Sequence, residues 1–244
     1  MLNQSLTIAT RILQQQIRDR RTIAIIVVVP VVTMSLIGLS FPEDSVLDFV
    51  APAILTTLSF FFGFLLTGIS FLRERSQGTM ERLMASPISR LDIVVGYLFG
   101  FFIFALTQAL ILLVFTVYFL DVNYLGELWQ IILFQVVVII GAVNMGIFLS
   151  GFARNEFQMA QFIPLTIAPQ MFLSGVIWPI EQMPYYLQWL SVILPLTYAV
   201  DGLRSIMLVG QSLLDVVPEL SVLAGFALIM SILAANTLKR SPAG

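Results

Sequence analysis

Six apolar runs, each long enough to cross a bilayer, decide most of what this chain can fold into. They occupy residues 22–41, 49–72, 93–120, 128–152, 157–178 and 217–238, and none carries an ionisable side chain in its central part. A helix needs about 20 apolar residues to span roughly 30 Å of hydrocarbon. Lipid offers no partner for backbone N–H and C=O groups, so runs of this length read as helices. The predicted fold class is an all-α integral membrane protein with six transmembrane helices, forming a single transmembrane domain over residues 1–244. The charge content agrees, because only 11% of residues are charged where a soluble domain carries about 25%.

The segments outside the spans have their own patterns. Residues 1–20 lack the apolar core of a secretory signal. They place Leu2, Leu6, Ala9, Leu13 and Ile17 on one helical face, with Ile8 and Ile12 beside it. This predicts an N-terminal interfacial helix lying in the headgroup plane. Residues 179–210 contain Pro179, Pro184 and Pro195 with Glu181, Asp201 and Arg204. They predict short external helices, re-entrant or interfacial, in place of a seventh span.

Charge sets the orientation. With the N-terminus inside, six spans put 11 of the 12 basic residues in the cytoplasm and leave only Arg204 outside. Nine of the 14 acidic residues, among them Asp48, Asp121 and Glu127, fall outside. This is the positive-inside pattern, and it predicts a multi-pass protein with both termini cytoplasmic; the expected location is a prokaryotic cell membrane. Trp129, Trp178 and Trp189 fall at the predicted outer boundary, the half-wet layer that indole prefers.

Absences narrow the chemistry. Without Cys or His, thiolate or imidazole metal sites, thiol nucleophiles and Ser-His-Asp triads are excluded. The one lysine, Lys239, has no Gly-rich loop before it, so the chain has no Walker A site for ATP. No basic tract interleaved with aromatics points to nucleic acid. Catalytic, cofactor and metal sites are not expected. The uncharged span centres also lack the intramembrane carboxylates typical of ion-coupled transport.

The charge that the chain does carry is concentrated in "RERSQGTMERLMASPISR", residues 73–90. Gly78 permits a turn, Thr79 starts a short helix, and Pro87 disfavours helical geometry at Ser86. Met80, Leu83 and Met84 share one face of that helix, with Glu81 and Arg82 beside it. Ser89 and Asp92 have capping-box spacing at the start of the third span. A solvated topogenic loop is one reading. Apolar residues on so short an exposed helix also mark an interaction site.

The segment "RERSQGTMERLMASPISRLDIVVGYL" resembles the charged Glu-Arg, Gly-Thr, Glu-Arg-Leu, Ser-Pro stretch of type-2 ABC exporter permeases. "FLSGVIWPIEQMPYYLQWLSVILPLTYAVDGLR" resembles their fifth span and the external helices after it. The resemblance implies a transporter subunit that is not itself an enzyme, working with a separate nucleotide-binding ATPase that holds ATP and magnesium. It implies that 73–92 is the coupling segment, with Gly78, Thr79, Met80, Glu81, Arg82, Leu83, Met84, Ser86 and Pro87 docking on that ATPase. The short first external loop, 42–48, argues against a large external domain.

Thr56, Ser59, Gly63, Thr67 and Ser70 fall on one face of the second span, and Ser59, Gly63 and Thr67 make a small-xxx-small pattern for close helix approach. Packing within one chain is one reading of this face. The resemblance supplies the other, since in such permeases the second and fifth spans line the pathway between two permease chains. Gln158, Gln161, Thr166 and Gln170 are the polar positions of the fifth span. A path of Phe, Thr, Ser and Gln without fixed charge suits an amphipathic or apolar cargo, a drug or a lipid. Polysaccharide or ion export on the same scaffold, or a non-transporting membrane adaptor, are the alternatives.

Overall fold

A computed structural model describes residues 2–41, 44–85 and 88–239 of the chain, and among them the regular structure is helical with no strand. The helices are α1 (Leu2–Arg18), α2 (Arg20–Ser40), α3 (Asp44–Ser76), α4 (Thr79–Met84) and α5 (Arg90–Tyr118), followed by α6 (Leu128–Ser150) and α7 (Glu156–Leu173). After a 3-10 turn at Ile180–Gln182 come α8 (Tyr185–Ser191), α9 (Pro195–Val209) and α10 (Val217–Lys239). The stretch "IIVVVPVV" inside α2 would favour a strand in water, since β-branched residues resist helix formation. In hydrocarbon the need to pair every backbone group outweighs that preference.

Among the described residues five helices, α2, α3, α5, α6 and α10, are long and apolar enough to cross a membrane. Helices α8 and α9, bent by 86° at their junction, make a sixth candidate if counted as one span. The expected fifth span, 157–178, differs from this. Its helix, α7, ends at Leu173 and contains Pro164 and Pro169, and Gln158, Gln161 and Gln170 dilute its apolar character below that of the other five.

Helix α3 is the centre of the bundle and touches α2, α5, α6, α7 and α9. At 33 residues it is about 50 Å long, well beyond the roughly 30 Å hydrocarbon thickness, so its last turns project past the apolar layer. Phe60 and Phe64 of α3, Phe134 of α6 and Leu196 and Leu203 of α9 are all buried in one core. Between helices in lipid the hydrophobic effect contributes little, and close van der Waals packing holds them together.

The expectation for the N-terminal helix divides in two. Ile8, Ala9 and Ile12 are buried, and Leu6 and Ile17 are exposed. The buried side lies on α5, where Gly96 and Gly100 let Ile8 and Ile12 approach the α5 backbone. Helix α1 thus has two apolar faces, one covered by α5 and one facing away from the protein.

Candidate functional site

The end of α3 and the start of α4 are joined by a turn whose geometry needs glycine. Gly78 has φ 68°, a left-handed conformation that costs a residue with a Cβ. Its N–H donates to Arg75 O at 3.2 Å and its carbonyl accepts from Arg82 N at 3.1 Å, which starts α4. Thr79 is half-buried on the inner side of α4, and Arg82 is exposed. Leu83, half-buried, rests on the chain's own cluster of Ile8, Ile12, Phe71, Ile93 and Tyr97. The expectation that Leu83 is presented outward is corrected to this extent: it seats α4 on the membrane domain. Met80, Glu81 and Met84 belong to α4, their side chains not being among those described, and Ser86 and Pro87 lie outside the described residues.

Beyond the turn, Ser89 caps α5 as its spacing predicts. Its hydroxyl oxygen accepts from Asp92 N at 3.1 Å and its O–H donates to Asp92 Oδ2 at 2.6 Å. Asp92 Oδ1 accepts from Ser5 of α1 at 3.0 Å. Three helices meet deeper in, at Glu74. Arg11 Nη2 and Tyr97 OH both donate to Glu74 Oε2 at 2.7 Å, and Arg11 Nη2 reaches Tyr97 OH at 2.9 Å. The Glu74 side chain is only 4% exposed, and a carboxylate that deep persists only when paired.

The two neighbouring arginines tie further helices to the same end of α3. Arg73 grips Glu156, the first residue of α7, through Nε at 2.6 Å and Nη2 at 3.1 Å, and lies 3.5 Å from Asp19. This pairing holds the Glu156 carboxyl below its ordinary value. Arg75 donates to Gly151 O at 3.2 Å and Ala153 O at 2.7 Å, satisfying carbonyls just past the C-terminus of α6. Such orphan carbonyls carry the negative end of the helix dipole and favour a cation.

Glu74, Arg11 and Tyr97 were not among the residues the sequence singled out. The signal was present, because Ser59, Gly63, Thr67 and Ser70 continue at helical spacing to Glu74. In the structure Ser70 accepts from Gln16 Nε2 of α1 at 2.6 Å, one turn before Glu74.

The same register places the small face, for which packing within one chain is one of two readings. Thr56, Ser59 and Thr67 are buried within this single chain. A Cβ at Gly63 would lie 3.3 Å from Ala142 Cβ of α6 and 3.8 Å from Ala105 Cβ of α5. The face is an intramolecular seam, because residues this small let α6 approach α3 closely. On α7 the polar residues separate. Gln158 belongs to the N-cap: its N–H donates to Asn155 Oδ1 and its Oε1 accepts from Arg154 N, each at 2.8 Å. Thr166 donates to Phe162 O at 2.5 Å. Gln170, buried, bridges to α9 by accepting from Leu196 N at 3.3 Å and donating to Thr166 O at 2.9 Å. Gln161 is exposed. The structure therefore does not bring the α3 and α7 polar residues together.

The sequence matches a known family profile: that of the ABC-2 type transporters fits residues 3–208. The chain belongs to the ABC-2 type transporter family. It is 30% identical to ABC transporter G family member 20 of Dictyostelium discoideum over 70% of this chain and 24% of that protein. It is 29% identical to the probable multidrug ABC transporter permease YbhS of Escherichia coli K12, over 67% of this chain and 44% of YbhS. To the linearmycin resistance permease protein LnrN of Bacillus subtilis it is 28% identical, over 66% and 41%. The matched region spans less than half the length of each of these relatives. As an ABC-2 type chain with several long apolar helices, this is a multi-pass membrane protein.

Proposed function

We propose that the chain is the permease subunit of an ATP-driven exporter, moving an amphipathic or apolar molecule out of the cytoplasm or inner leaflet. A separate ATPase subunit, holding ATP and magnesium, docks at α4. The observation that carries this reading is the seating of α4. Arg73, Glu74 and Arg75, at the end of the helix before it, are bonded to α1, α5, α7 and the end of α6. A push on α4 therefore moves several spans together, which a merely solvated loop would not require. The names of YbhS and LnrN, a multidrug and a linearmycin resistance permease, support an amphipathic cargo.

In this reading α7 is the fifth crossing and α8 with α9 folds back from the outer face. Helix α7 meets α3 at both ends: Glu156 at Arg73, and Gly175, just past α7, through Arg204, whose guanidinium also lies 4.3 Å over Phe49. Arg73 and Phe49 are 24 residues apart on α3, about 36 Å, enough to cross the roughly 30 Å apolar layer. The outer face of α1, with Leu6, Leu13 and Ile17, then rests among the inner headgroups. A second permease chain contacts the exposed face of α7.

Arg82, exposed on α4, provides the test. With the chain and its ATPase co-expressed in cells lacking other efflux systems, loss of an amphipathic dye should need both proteins. Arg82→Glu should lower export and cargo-stimulated ATP turnover without changing the amount of chain in the membrane. Dye retention equal with and without the chain would refute the reading.

A further inference from the structure

The seam between α3, α5 and α6 buries more hydrogen-bonding capacity than it satisfies. Gln108 is 2% exposed, and neither its Oε1 nor its Nε2 has a partner. Gln135, also 2% exposed, reaches Ser59 Oγ only at 3.4 Å and leaves its Oε1 unpaired. Thr56, fully buried on α3, has an unpartnered hydroxyl. These groups share a level. Gly63 faces Ala105 and Ala142, Ser59 lies one turn along α3 from Gly63, and Gln108 lies one turn along α5 from Ala105 in the same direction. All are within apolar helices long enough to cross a membrane, where lipid supplies no donor or acceptor.

A buried amide left unpaired costs the full desolvation of the group. Had the seam only to hold the helices together, Met or Leu at these positions would serve better. At Gly63 the helices meet through small residues, with Ala142 of α6 and Ala105 of α5 against its backbone.

We propose that this seam is a hydration site. In a second state α6 draws away from α3 and α5, and water enters to pair Gln108, Gln135, Ser59 and Thr56. The link between opening and ATP rests on the exporter reading; the demand of the amides for water does not.

The chain has no native cysteine, so Ser59→Cys places a single near-isosteric thiol in the seam. The thiolate, a form that apolar burial suppresses, attacks the methanethiosulfonate sulfur to form a mixed disulfide and releases methanesulfinate. The purified chain, alone and with its ATPase, would be treated in nanodiscs with the ethylammonium reagent, nucleotide-free and ATP-trapped. The control is Ala199→Cys, in the fully buried apolar core of α9. The Ser59→Cys thiol should react at least about tenfold faster than the control in one state, as expected for a wetted thiolate. A rate equal to the control in every state overturns the proposal. Reaction unaffected by ATPase or nucleotide supports hydration and counts against the exporter reading, so the two failures are distinct. Gln108→Met in the Ser59→Cys background should slow the reaction and raise the thermal midpoint. A lowered midpoint with an unchanged reaction rate would make Gln108 a structural residue and overturn its part in the site.

Discussion

Glu74 of α3 accepts a 2.7 Å bond from Arg11 of α1, with Arg11 36% and Glu74 4% exposed. The asymmetry decides which partner is costlier to lose. Removing Arg11 strands a carboxylate that has little water around it, whereas removing the Glu74 charge leaves an arginine that can still reach solvent. Arg11→Met should therefore destabilise the purified chain by on the order of 2 kcal/mol, read as a lowered thermal midpoint in detergent. Glu74→Gln should cost less, since the amide oxygen still accepts from Tyr97. The double variant should recover at least half of the Arg11→Met loss; additive losses would show that the pair does not interact.

The seating of α1 on α5 gives a second, steric prediction. A Cβ at Gly96 would lie 2.7 Å from Ile8 Cβ and 2.8 Å from the Ser5 carbonyl oxygen, while at Gly100 the nearest atoms are 3.1 and 3.2 Å away. Alanine also improves helix propensity by about 1 kcal/mol over glycine. At Gly100 a few tenths of an ångström of adjustment should leave the net change near zero. At Gly96 overpacking of about 1–3 kcal/mol should prevail and displace α1. Disulfide formation between Ser5→Cys and Asp92→Cys, whose native side chains meet across α1 and α5 at 3.0 Å, would report the displacement; unaltered cross-linking in Gly96→Ala would refute it.

Much of this architecture is legible from composition and periodicity, and the exceptions have physical causes. The spans show because hydrocarbon enforces one rule on every residue in them. The cap at Ser89 shows because its geometry is local. The partners of Arg11 and Glu74 are 63 residues apart in sequence, so neither position announces the other. "RERSQ" reads as loop charge because helix α3 continues about one turn beyond the end of the apolar run, to Ser76. The "GYLFG" of α5 is a small-xxx-small pair as clear as the one at Ser59, but the amphipathic pattern of α1 points to lipid rather than to that pair. A helix with two apolar faces cannot be oriented from its sequence alone.

The Arg73–Glu156 pair predicts a pH dependence with a definite sign. Glu156 is held below its ordinary 4.5, chiefly by the hydrogen bonds from Arg73. A depressed carboxylate contributes stability that is present above its unfolded value and lost as pH falls through the folded one. The tie between α3 and α7 should thus be unchanged from pH 8 to 5 and weaken only in more acidic buffer. Both side chains are more than a third exposed, at 38% and 52%, so the contribution is below about 1 kcal/mol. Glu156→Gln should lower the thermal midpoint slightly at pH 7 and by less at pH 3. A larger loss at pH 3 than at pH 7 would reverse the sign and refute the assignment.

The exposed side of α7 carries the last prediction. Phe157, Gln161, Leu165 and Phe172 project from one face, with Phe157 at 74% and Leu165 at 68% exposure. Their spacing of four, four and seven residues keeps them within a quarter-turn of each other. Lipid would accept the Phe and Leu side chains but offers nothing to the Gln161 amide. A second copy of the chain would, because a two-fold axis sets the same residue opposite itself and an amide both donates and accepts. Gln161→Cys should accordingly form an oxidative dimer in membranes, provided the two Cα atoms approach within about 7 Å. Gly63→Cys and Thr67→Cys, buried against α6, should remain monomeric under the same oxidant. Dimers from Gly63→Cys with none from Gln161→Cys would return the subunit contact to the small face of α3 and require the α3–α6 seam to open fully in the resting protein.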